Sequence, residues 1–132
     1  MTYLLAIHSF LRWIIVVVAA ATLVRLFLAW QRRAEFGRVD RALTSTFSGL
    51  LDVQVLLGIV FLVWNGLAGA GFAAYRLGHG LTMLLAAVVA HVPMRWRNAR
   101  SALRFRNSWL TVVGSLLLVI LGVFILPGGW TR

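Results

Sequence analysis

Four apolar segments constrain this chain more than any other feature: Tyr3–Trp30, Leu43–Asn65, Leu77–Trp96 and Trp109–Leu126 take up most of its 132 residues. A helix needs about 20 mainly apolar residues to cross the hydrocarbon core of a bilayer, and each segment is long enough. Hydrophobic residues make up 61% of the sequence, against about 45–50% in soluble domains. The expected fold is therefore all-α and integral to the membrane: one domain, an up-down bundle of four transmembrane helices. Short connections leave no room for a second domain. The first segment is too long for a cleaved signal peptide and has no cation before Arg12, so it is expected to remain as a helix.

The charges set an orientation. All 13 cations are arginine. Arg32, Arg33, Arg38 and Arg41 lie in the first connection, and Arg95, Arg97, Arg100, Arg104 and Arg106 in the third. The second connection holds only Arg76, and Arg132 ends the chain. Basic loops stay on the cytoplasmic side, which predicts that both termini face outward. The net charge of +10 then needs no nucleic-acid partner, because anionic lipid headgroups account for it. The bilayer is the expected partner. Trp30, Trp64, Trp96, Trp109 and Trp130 fall near helix ends, as interfacial tryptophans do, whereas Trp13 lies inside the first helix. Pro93 is expected to kink or shorten the third helix.

Several chemistries are excluded. With no cysteine there are no disulfides, thiolate metal ligands or thioether-linked haem. No phosphate-binding loop, zinc pattern or Ser-His-Asp order is present, and no catalytic residue is assigned. The glycines and small residues at Gly49, Gly58, Gly114, Ser115 and Gly122 are expected to serve helix packing.

Ionisable residues at membrane depth are costly and point to function. They are expected in two layers. The outer one holds His8 and Arg12, one turn apart on the same face of the first helix, together with Asn65, Arg76 and His79. His8 and His79 are at similar depth on parallel helices, so their imidazoles can face each other. Two neutral imidazoles at matched depth suit the two axial positions of a b-type haem, with Arg12 and Arg76 placed for its propionates. The alternative is that each histidine only bonds a neighbouring helix. The inner layer holds Arg25, Asp52 and His91. An Arg25–Asp52 ion pair with His91 beside it would be structural; a proton relay or quinone-headgroup site is the other reading. Gln54 points about 200° away from Asp52 and is left out of that cluster. His91 lies about 18 Å of helix rise from His79, rotated away from it, and there is no fourth histidine; at most one haem is expected.

Three motifs carry a family resemblance. His8, Ser9, Arg12 and Trp13 in the first helix, Gln54 and Gly58 in the second, and His79 with Met83 in the third resemble the pattern of small bacterial four-helix membrane proteins described as cytochrome b or cytochrome b-like. The resemblance covers most of the chain, although the third connection and fourth helix match only in hydropathy, and Gly78 stands where the family often has an acid. It implies one haem b held by His8 and His79, electron transfer with a redox partner, and a place in the bacterial inner membrane. The competing expectations are a haem-free accessory or assembly subunit of a larger membrane complex, and a small proton-conducting protein using Asp52, Arg25 and His91.

Overall fold

The computed structural model describes residues 2–131. It is all-helical, and no strand occurs among the described residues. The four main helices are α1 (Thr2–Gln31), α2 (Arg38–Asn65), α3 (Ala74–Ala90) and α4 (Ser101–Ile125), and four helical spans are long and apolar enough to cross a membrane, the third of them, Ala74–Trp96, taking in the segment that follows α3. A π-helical turn, Gly66–Ala70, extends α2, and short 3-10 segments follow α3 (Val92–Trp96) and α4 (Gly129–Thr131). Arg132, assigned above to the outer side, lies outside the described residues.

The helices begin earlier than hydropathy predicts. α2 starts at Arg38, not Leu43, because Asp40 in its first turn accepts the Gly37 N–H at 2.9 Å and so satisfies one of the helix's otherwise unpaired donors. α4 starts at Ser101, not Trp109. Its first two turns carry Arg104 and Arg106, but they also bury Phe105 and are tied to the first connection, where the Phe36 N–H donates to Ser101 Oγ at 2.8 Å. Much of what reads as a basic loop is therefore amphipathic helix. α3 stops at Ala90 and continues as a 3-10 segment, because Pro93 has no N–H for an α-helical bond. α1 ends with Arg33 in the left-handed region (φ 56°) and the Ala34 N–H bonded to the Ala29 carbonyl at 3.0 Å. This is the helix stop usually assigned to glycine.

Each helix packs against the next, and α4 closes the ring on α1. Cross-helix pairs show that all neighbours are antiparallel: His8 with Gln54 and Arg25 with Asp40 for α1 and α2, His91 with Asp52 for α2 and α3, His79 with Gly122 and Ala86 with Ser115 for α3 and α4, Phe27 with Trp109 for α1 and α4. The bundle is up-down, and both chain ends lie at the same end. We call this the termini end and the opposite one the basic end.

The core is narrow. Ile15, Ala19, Phe47, Leu51, Ala86, Val112 and Val119 form its centre, and Leu26, Ala29 and Phe105 a second cluster at the basic end. Small residues let α3 and α4 approach closely, and Ser115 Oγ donates to the Ala86 carbonyl at 2.7 Å. The outward face is apolar as well: Phe10, Val17, Leu117 and Phe124 are each at least 60% exposed. Large apolar side chains on the outside of a thin core match helices that pack in lipid rather than in water.

Candidate functional site

His8 on α1 and His79 on α3 face each other across the diagonal of the bundle near the termini end. Their ring centroids are 6.5 Å apart, and the ring planes are 80° to one another. The sequence places both at similar depth, and the fold brings them together. They line one partly open cavity of about 260 Å³ with Arg12, Gln54, Gly58 and Arg76. All four residues expected in the outer haem site therefore border the same space.

Each imidazole is held differently. His79 Nδ1 donates to the Gly122 carbonyl at 2.7 Å. A carbonyl only accepts, so the hydrogen is on Nδ1 and, in the neutral ring, the lone pair is on Nε2. His8 lies against α2. A Cβ added at Gly58 would come within 3.2 Å of His8 Cε1, so the absence of a side chain there makes room for the ring. The His8 carbonyl accepts from Gln54 Nε2 at 2.7 Å, while His8 Nδ1 and Gln54 Oε1 are buried with no hydrogen-bond partner.

The two arginines have other contacts. Arg12 lies beside the paired Trp13 and Trp130, its guanidinium carbon 5.2 Å from each ring centroid. The Trp13 and Trp130 rings are themselves 5.7 Å apart. Trp13, an outlier as an interfacial residue, is thus paired through the segment that folds back after α4. Arg76 closes the hairpin between α2 and α3: its Nη1 donates to the Gly71 carbonyl at 2.8 Å, and its guanidinium lies 5.9 Å from the Phe61 ring centroid.

The expected inner cluster forms only in part. Asp52 is joined by His91, as expected, with Nε2 2.8 and 3.0 Å from the two carboxylate oxygens. Arg25 does not join them: it pairs with Asp40, Nε to Oδ1 at 3.1 Å. The acids are twelve residues apart, about 18 Å along α2, so Arg25 is at a different level from the other two. The reason is the early start of α2, which brings Asp40, read from hydropathy as a loop residue, into the helix and fully buries it. The Asp52–His91 pair is close to the middle of α2 on its outward surface, each side chain nearly half exposed.

Gln54 and Gly58 are the residues whose role sequence reasoning missed. The same 200° rotation that separates Gln54 from Asp52 turns it toward α1, and Gly58 follows it by one turn on that face. Among the described residues no group of three or more His, Asp or Glu side chains comes together as a metal cage; the cavity offers an imidazole pair. No protein family, curated protein or solved structure matches this chain. The chemistry of the cavity is therefore the basis for a functional reading.

Proposed function

We propose that this protein is a small membrane-embedded electron carrier of the b-type cytochrome kind, with one haem b between α1 and α3. The His8–His79 spacing carries the reading. A metal at about 2.0–2.1 Å from the ligating nitrogen of each of two imidazoles sets the ring centroids roughly 6–6.5 Å apart, and these rings are at 6.5 Å. The Gly122 bond to His79 Nδ1 is the support that metal-bound histidines normally have, since it fixes the tautomer and ring orientation.

At about 260 Å³ the cavity is below the roughly 300–1,000 Å³ of pockets that enclose drug-sized ligands. The cavity alone would therefore not enclose a whole macrocycle; a haem held here would be only partly surrounded by the bundle. His8 and His79 would hold the iron, and Arg12, kept in place by Trp13 and Trp130, would offset propionate charge. Bound haem supplies the one-electron chemistry; the protein supplies ligands, orientation and electrostatics. The arginine distribution supports an orientation with both termini on the outer face of a bacterial inner membrane. An electron carrier of this kind would exchange electrons with a redox partner in the membrane or beside it.

The deciding experiment is a dithionite-reduced minus oxidised optical spectrum of the protein in mild detergent, beside H8A and H79A. A b-type spectrum lost in both variants is expected. A flat spectrum from folded protein expressed with ample haem overturns the reading. One observation favours the second reading, a haem-free subunit of a larger complex: the half-exposed Asp52–His91 pair presents a polar group to the lipid side, where another subunit would cover it.

A further inference from the structure

The buried atoms without partners in the cavity are complementary. Gln54 is only 8% exposed. Its amide has one possible orientation, because the His8 carbonyl accepts and so must face the NH2 group. That bond, at 2.7 Å, turns Oε1 away from the His8 backbone, buried and unpaired. His8 Nδ1 is also buried and unpaired. Both atoms belong to residues that line the same cavity, and Gly58, four residues after Gln54, seats the His8 ring on the same face of α2. A buried acceptor and a buried ring nitrogen, each lacking a partner, are unfavourable apart and satisfied together.

We infer that Gln54 is the positioning residue for the His8 imidazole. When His8 Nε2 holds iron, the neutral ring carries its hydrogen on Nδ1, and Gln54 Oε1 accepts it, directly or through one buried water. The inference rests on the haem reading above. It gives the two axial histidines matching supports of different origin: a backbone carbonyl, Gly122, for His79 and a side-chain amide, Gln54, for His8. An acceptor on Nδ1 makes the imidazole a stronger donor to iron, which favours the ferric state. The α2 amide therefore sets the reduction potential from behind the ligand.

The test compares Q54M and Q54E with wild type, all loaded with haem in mild detergent, by redox titration. Methionine matches glutamine in size and has no comparable acceptor; glutamate keeps an acceptor in either protonation state. Q54M is expected to shift the ferrous-over-ferric preference tenfold, about 59 mV upward for one electron, and Q54E to stay within threefold of wild type or move the other way. Equal shifts in both variants overturn the inference, because both lose the amide bond to the His8 carbonyl. So do two unchanged potentials. A second reading needs no variant: ferrous wild type labelled with 15N-histidine should show two slowly exchanging Nδ1–H protons on the ligating rings, and one alone overturns it. Wild type that takes up no haem overturns the haem reading as well, which separates that failure from the failure of Gln54 alone.

Discussion

The His8 ring lies against Gly58 so closely that a Cβ at position 58 would be 3.2 Å from His8 Cε1. The ring is confined by a neighbouring backbone on one side and by His79, 6.5 Å away between centroids, on the other.

Substituting Gly58→Ala should therefore act on the ligand site more than on the fold. Overpacking typically costs about 1–3 kcal/mol, and here the group that has to give way is the His8 ring. The expected outcome is a haem-to-protein ratio reduced severalfold, with the helical circular dichroism of wild type. A ratio equal to wild type would show that the contact does not position the ring.

The two acid–base pairs should differ in weight. Asp40 is fully buried and serves both Arg25 and the Gly37 N–H, so Asp40→Ala leaves two partners unsatisfied and should cost about 2–3 kcal/mol. Asp52→Asn leaves an amide that can still bond His91, in a pair whose members are nearly half exposed; it should cost no more than about 1 kcal/mol, the net worth of a hydrogen bond. Unfolding in mixed micelles measures both. A larger loss for Asp52→Asn would place the structural weight on the wrong pair.

Arg33 carries a left-handed backbone (φ 56°) at the end of α1, where a side chain costs roughly 1–2 kcal/mol relative to glycine. Arg33→Gly should raise the midpoint of thermal unfolding, by an amount equivalent to about 0.5–1 kcal/mol once glycine's greater freedom in the unfolded chain is subtracted. Destabilisation instead would mean that the guanidinium makes contacts that outweigh the strain.

Orientation in the membrane is open to a clean test because the chain has no cysteine. A membrane-impermeant thiol reagent applied to spheroplasts should label Ala68→Cys, in the turn after α2, directly. It should reach Asn98→Cys, between the 3-10 segment and α4, only after permeabilisation. The reverse pattern would invert the topology drawn from the arginines.

The four spans were legible because lipid imposes one requirement, length with low polarity, that hydropathy reads directly. Their ends were not. Hydropathy cannot recognise Ser101–Ser108 as helix, because Arg104 and Arg106 look like loop residues until Phe105 is seen buried beneath them. The same blindness misplaced Asp40, and with it the partner of Arg25. His8, Arg12, Arg76 and His79 were found from depth alone, since parallel helices in a small bundle leave few places for polar groups to go. Gln54 was found to point away from Asp52, but what it points toward depends on which helix is its neighbour, and that is a property of the packing.

The second core cluster, built on Leu26, Ala29 and Phe105, draws on α1, α4 and the connection around Phe36, and on nothing from α3. Beyond His91 the 3-10 segment packs on α4. The bundle is in effect a clamp riveted at its basic end by aromatic rings and the Arg25–Asp40 pair, with its jaws at the termini end around the imidazoles. The rings between the jaws already stand 6.5 Å apart, so a ligand of His8 and His79 would meet a spacing set in advance by the packing at the far end rather than one it has to create.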